Sequence, residues 1–183
     1  DRIIIGGAMA NTFRKAQGYP VGKSLIEKEL TNDAREIMDK ALAKGCSFYL
    51  PVDYILGSDP KSKTSSESCA YQNVPEDKMI LDTGPATHVL FSEVLKDART
   101  VVWNGPMGAF ENSAFSQGSF GLAQSVSSVR GLTIVGGGDT DSLIHKCGLE
   151  DKFSFISTGG GSFLEFLEGK KLPAIQALEE CAS

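Results

Sequence analysis

Two acidic residues follow the richest glycine turns of the chain. Asp139 comes directly after Gly136-Gly137-Gly138, and Glu111 closes the run Asn104-Gly105-Pro106-Met107-Gly108-Ala109-Phe110-Glu111. A carboxylate so placed suits Mg²⁺, a hard cation that takes one protein carboxylate together with phosphate oxygens and waters. Thr140, next to Asp139, adds a hydroxyl that can donate to a phosphate. Gly6-Gly7-Ala8, Asp82-Thr83-Gly84-Pro85 and Thr158-Gly159-Gly160-Gly161 are three further turns of the same kind. Glycine carries no Cβ and lets a backbone approach a ligand closely, and a helix that follows offers free N–H groups and a positive dipole end. Taken singly, each turn is more often a tight connection than a ligand site. Asp139 and Thr140 serve equally well as helix caps, Trp103 suits a core, and His88 and His145 suit structural or exposed positions. Five such turns along one edge would make a phosphate cradle.

That edge requires a fold to build it. Short β-rich runs, Ile3–Ile5, Phe48–Val52, Met79–Leu81, Val101–Trp103, Thr133–Val135 and Phe155–Ser157, each stop at or near a glycine or proline. Helical patterns alternate with them. Ala34, Ile37, Met38, Ala41 and Leu42 recur at helical spacing before Gly45, which suits the position just past a helix end. Val89, Leu90, Val94 and Leu95 form a second stripe behind Pro85, well suited to a first helical position. The alternation predicts an α/β fold with a mainly parallel sheet covered on both faces. In such a sheet the segments after the strands gather on one edge, where ligands bind. The polar stretch 57–76 reads as the longest loop and not as a domain boundary, so residues 1–183 form one domain.

Composition narrows the chemistry. With 18 Lys+Arg against 23 Asp+Glu the net charge is −5, which argues against broad binding to a nucleic-acid backbone. The four cysteines, Cys46, Cys69, Cys147 and Cys181, stand far apart without a C-x-x-C pair, as expected of a reducing, cytoplasmic setting and not of a zinc site or disulfide framework. No segment has the apolar length of a membrane span. The chain opens at Asp1, directly on an apolar run, which reads as a piece of a longer protein. Two motifs fall short. Gly18-Tyr19-Pro20-Val21-Gly22-Lys23-Ser24 is one residue short of a P-loop and follows a helical pattern, so it reads as an inter-helix loop. Gly136 and Gly138 are followed by Asp141 where a dinucleotide fingerprint needs its third glycine.

The order of the turns resembles the phosphoglycerate kinase family, specifically most of its C-terminal, nucleotide-binding domain. The matching words are Ile4-Ile5-Gly6-Gly7-Ala8-Met9-Ala10, Leu50-Pro51-Val52-Asp53, Asp82-Thr83-Gly84-Pro85, Val102-Trp103 running through Glu111, Val135-Gly136-Gly137-Gly138-Asp139-Thr140, and Ser157-Thr158-Gly159-Gly160-Gly161 leading to Leu164-Glu165-Phe166-Leu167-Glu168-Gly169. The resemblance implies a Rossmann-like three-layer α/β/α domain. It implies phosphoryl transfer between 1,3-bisphosphoglycerate and MgADP, giving 3-phosphoglycerate and MgATP in glycolysis. Carried over by position, Gly6, Gly7, Leu25, Leu81 and Pro106 would line an adenosine pocket, and Glu111 would bind the ribose hydroxyls. Asn104, Gly108 and Gly136 would lie near the nucleotide, Asp139 would hold Mg²⁺ and Thr140 would contact the β-phosphate. Gly137, Gly138, Gly159, Gly160 and Gly161 would offer N–H groups to the transferring group.

The resemblance also marks departures. The family's lysine-bearing first strand and its N-terminal, phosphoglycerate-binding domain have no counterpart here, which implies a chain inactive alone, with a gap in its sheet and a tendency to self-associate. The full-length protein would be a monomer, and the tail 172–183 would return toward the other domain. Asn11 stands where other members carry an aromatic near the adenine, and Ala86 where a longer polar residue is common. Two rival readings stay open: a nucleotide- or phosphate-binding module that is not a kinase, and an interaction domain whose glycines only make turns.

Overall fold

The structure is a computed structural model that describes residues 1–64, 68–157 and 159–181. Among the described residues eight strands and seven α-helices follow one another: β1 (Arg2–Ile4), α1 (Gly7–Ala16), α2 (Thr31–Ala43), β2 (Ser47–Tyr49), β3 (Asp53–Gly57), β4 (Ser68–Ala70), β5 (Met79–Thr83), α3 (Pro85–Leu95), β6 (Thr100–Asn104), α4 (Gln117–Ser127), β7 (Leu132–Gly136), α5 (Gly138–Cys147), β8 (Phe155–Ser157), α6 (Gly160–Leu167) and α7 (Pro173–Cys181). The α/β expectation holds, and each of the six expected runs lies on or overlaps a strand.

The sheet differs from the expected one in two ways. First, β3 and β4 add an antiparallel unit that the alternation does not predict. They pair with β5 in the order β4-β3-β5, while the parallel pairs are β1-β2 and β6-β7-β8. The stretch 57–76 is therefore not wholly loop. Ser65, Ser66 and Glu67 within it lie outside the described residues, as do Thr158 and the tail residues Ala182 and Ser183. Among the described residues β5 pairs only with β3, so the Asp82–Pro85 turn does not follow a strand of either parallel sheet. Asp82 and Thr83 are buried instead.

Second, the parallel layer is split. Among the described residues β1 bonds only to β2 and β6 only to β7, and a cleft of about 930 Å³ lies between them, lined by Ile4, Val94, Leu95, Val101, Trp103 and Leu122. The two strands run the same way. Arg2 at the start of β1 pairs with Asp97 and donates to Val94 O at 2.6 Å just ahead of β6, while Gly6 and Gly7 past its end meet Met107 and Pro106 beyond the end of β6. Asp1 O accepts from Ser47 N, Ile5 N donates to Tyr49 O and Arg99 O accepts from Leu132 N. Since a parallel strand bonds alternately to either side, the backbones of Ile4 and Val102 face the cleft.

One face of the strands carries the main core. Phe91 and Leu95 from α3, Leu122, Ala123 and Val126 from α4, and Leu143 and Ile144 from α5 close over Val101, Trp103 and Val135. Ala10, Phe13 and Ala16 from α1 pack with Ala34 and Leu50 on the other face, where α6 sets Phe163 against Gly136. The helical stripes need correcting in detail. Ile37 and Leu42 of α2 and Val89 of α3 are exposed, so Ala34 and Ala41 in α2 and Phe91, Val94 and Leu95 in α3 carry the burial. Gly45 adopts φ +66 past α2, Pro85 opens α3, and Gly18–Ser24 is a loop between helices, as expected.

The starts of α3 and α4 are set from a distance. Gly84 caps α3 without a side chain, and Asp53 of β3 supplies the acceptor, taking the N–H groups of Ala86 at 3.0 Å and Thr87 at 2.7 Å. Asp82 at the end of β5 does the same for α4, accepting from Gly118 N at 2.8 Å. A carboxylate at a helix N-terminus satisfies orphan donors and the dipole together.

Candidate functional site

The loop Asn104–Glu111 is the hub of the site. Gly6 and Gly7, which lead from β1 into α1, press on its first half: a Cβ on Gly6 would sit 2.0 Å from Met107 Sδ and one on Gly7 2.8 Å from Pro106 O. Trp103 is core, as its type suggests, and its Nε1 donates to Gly105 O at 2.8 Å. The second half of the loop lies on β5, with Ala109 N donating to Leu81 O at 2.8 Å.

At the same carboxyl end of the strands, Asn104, Gly137 and Gly160 converge. Asn104 Nδ2 would be 3.2 Å from a Cβ on Gly137, and a Cβ on Gly160 would be 3.3 Å from Gly137 Cα. Gly137 has φ +99 at the entry to α5, in the left-handed region that glycine accepts without strain. Its N–H donates to Ser157 O at 3.2 Å, and Gly159 N donates to Ser157 Oγ at 3.3 Å. Two of the five glycines expected to offer N–H groups thus use theirs within the chain. In α5 the first internal bond is Asp141 N to Gly137 O, and in α6 it is Phe163 N to Gly159 O. The N–H groups of Gly138, Asp139 and Thr140, and of Gly160, Gly161 and Ser162, precede those bonds and form two adjoining helix N-termini.

Asp139 is exposed in the first turn of α5. Thr140 beside it is 0% exposed, and its Oγ1 accepts from Gly105 N at 2.8 Å. The hydroxyl therefore ties α5 to the 104–111 loop. Leu25 is 71% exposed, with its carbonyl held by Asn11 Nδ2 at 3.2 Å, and Thr12 Oγ1 accepts from Glu27 N at 3.1 Å. Asn11 is itself buried, so it supports the Leu25 segment from beneath. Leu81 is a core residue whose side chain packs against Gly57. Glu111 is exposed at the end of the loop, and Gly108 rests on Leu81 and Asp82.

Among the described residues no three His, Cys, Asp or Glu side chains cluster as metal ligands. The donor set fits an ion held by the single carboxylate of Asp139 together with the oxygens of a bound phosphate, and does not fit a closed protein cage. His145 is engaged away from any such role, with Nδ1 2.6 Å from Glu150 and Nε2 3.3 Å from Asp141. His88 is half-buried against Gly121 of α4. The cysteines are all free thiols.

Asp82 is the participant that sequence reading missed. It accepts from Thr83 N at 2.9 Å and Gly118 N at 2.8 Å while 1% exposed. Burial pushes its carboxyl up to about 7, against the opposing pull of the backbone N–H groups of Gly118, Thr83 and Gln117. The signal was an acid closing a strand, but that pattern alone cannot say which helix start it will meet.

The phosphoglycerate kinase family profile matches residues 1–170. A phosphoglycerate kinase of Maridesulfovibrio salexigens is 55% identical over 181 residues, covering 98% of this chain and 45% of that protein. One from Pelobacter propionicus is 52% identical over 179 residues with the same coverage. Among solved structures, phosphoglycerate kinase from Coxiella burnetii superposes with a TM-score of 0.91 at 46% identity, covering 96% of this chain and 46% of that one. That from Pyrococcus horikoshii OT3 gives 0.83 at 28% identity, covering 98% and 45%. The chain thus spans about 45% of the length of the curated relatives it matches. Matched by the family profile over residues 1–170 and about half identical to these relatives, the chain belongs to the phosphoglycerate kinase family.

Proposed function

We propose that this chain is the nucleotide-binding part of a phosphoglycerate kinase, which holds MgADP or MgATP for reversible phosphoryl transfer with 1,3-bisphosphoglycerate and 3-phosphoglycerate in glycolysis. The observation that carries this reading is the meeting of Asn104, Gly137 and Gly160 at the adjoining starts of α5 and α6. Phosphoryl transfer asks a protein chiefly for positioning and charge neutralisation, and two helix N-termini beside an amide side chain supply both. Gly138, Asp139 and Thr140 bind phosphate oxygens through their N–H groups, with Gly160 and Gly161 nearer the transferred group. Mg²⁺, held by Asp139 and the nucleotide, neutralises phosphate charge. Gly6, Gly7, Leu25, Leu81, Pro106, Gly108 and Glu111 form the nucleoside end, and Gly136 sets the turn into α5.

The phosphoglycerate is bound by another part of the full-length enzyme, so this chain binds nucleotide and does not turn over alone. A reducing, cytoplasmic setting accords with the free thiols. Calorimetric titration with ADP, with and without Mg²⁺, tests the reading. Wild type should bind more tightly with Mg²⁺, and Asp139→Ala should lose that gain. A folded wild-type chain that binds no ADP overturns it.

A further inference from the structure

The 104–111 loop has two supports. Ala109 N donates to Leu81 O of β5 at 2.8 Å, and Met107 N donates to Ser119 Oγ of α4 at 2.9 Å. The two amides on either side of Gly108 are thus satisfied by two different elements. Their spacing therefore sets where the loop lies.

Asp82 fixes that spacing. Its Oδ1 accepts from Thr83 N on its own strand and its Oδ2 from Gly118 N in the first turn of α4, with Gln117 N adding a further bond. Gly108 lies directly on this junction, since a Cβ there would sit 2.5 Å from both Asp82 Oδ1 and Leu81 O. Gly118 is as close, its Cβ position 2.4 Å from Asp82 Oδ1. Only a carboxylate has enough acceptor sites for this set of donors; an asparagine would turn an NH₂ toward one of them.

We infer that Asp82 is a positioning residue for the nucleotide loop: by tying β5 to the start of α4 it fixes Pro106, Gly108 and Glu111 against the nucleoside. This rests on the nucleotide reading above, but its structural half can be tested separately. Asp82 touches no substrate and acts through the loop alone. The single tryptophan is a built-in reporter, because Trp103 Nε1 bonds Gly105 O within the same loop.

The test compares wild type with Asp82→Asn by amide hydrogen exchange, Trp103 fluorescence and ADP titration. The expected result is about tenfold faster exchange at Met107 and Ala109, with Ile134 and Val135 in β7 unchanged, a shifted Trp103 emission, and about tenfold weaker ADP binding, as loss of a charge-assisted hydrogen bond implies. Unchanged exchange at Met107 and Ala109 in a folded variant overturns the inference, and so does faster exchange with undiminished ADP affinity. Uniformly faster exchange across β7 as well would mean general destabilisation, which also overturns it. If wild type binds no ADP while exchange responds as expected, the nucleotide reading fails and the clip between β5 and α4 stands. Should Asp82→Asn not fold, Ser119→Ala removes only the Met107 acceptor, and the same readouts decide: a response at Met107 with weaker ADP binding supports the inference, and none overturns it.

Discussion

Strand β7, paired on both sides, and strands β1 and β6, which face the cleft, are built from the same kind of sequence, a short apolar run with glycine close behind, yet they end in different physical states. In β7 Val135 is 0% exposed, packed with Leu143 and Ile144 of α5, which are equally buried. Beside the cleft Val102 of β6 is 46% exposed and Ile4 of β1 is half-buried. A parallel strand is apolar on both faces because it expects neighbours on both sides and helices above and below. Where those neighbours are present the run becomes core, and where one side is open the same residue type lines a cleft. Composition does not separate the two regions; pairing does.

Substitutions should sharpen the contrast. Leu143→Ala removes buried volume from the filled region and should cost about 3 kcal/mol, whereas Val102→Ala beside the cleft should cost less than about 0.5 kcal/mol. Chemical denaturation measures both, and equal costs would dissolve the distinction. Gly108→Ala forces a Cβ against Leu81 O, a backbone atom that cannot swing aside, and overpacking of that kind should cost about 2 kcal/mol.

The pH dependence adds a third comparison. The Asp82 carboxyl titrates at about 7 in the fold and at about 3.9 in an unfolded chain. Since the folded value is the higher one, its stabilising share is complete below about pH 4, declines as pH rises and is gone above about pH 7. The thermal midpoint of wild type should therefore fall more steeply across that window than that of Asp82→Asn. Open strand edges invite association, so sedimentation velocity should show concentration-dependent association of wild type that Val102→Lys reduces. The smallest effect is expected at the foot of the cleft. Arg2 and Asp97 pair there in the open, the guanidinium raised and the carboxyl lowered by their mutual hydrogen bond, and Asp97→Ala should leave the thermal midpoint within error because solvent and salt screen such pairs.

The glycine turns of the candidate site were legible because their pattern is local. A glycine turn that leads into a helix announces itself in a few residues, and Gly6, Gly137 and Gly160 stand where those turns were expected, at helix entries. Side-chain direction was not legible. Thr140 has a hydroxyl suited to a phosphate, but packing turns it inward to Gly105. Leu42 and Val89 fit helical stripes, yet they sit on faces that nothing covers. Strands β3 and β4 escaped because Asp53 and Gly57 break the apolar alternation, and their pairing with β5 is long-range.

The sequence by itself determined the α/β alternation, the glycine turns at helix entries and the family, since all three reside in neighbouring residues and in their order. The tertiary structure alone decided that β5 joins an antiparallel unit, that Asp53 and Asp82 cap helices far along the chain, and that β1 and β6 face each other across a cleft. Those outcomes depend on contacts between segments tens of residues apart. Their strength comes from burial and from the geometry of backbone donors, which no local pattern encodes.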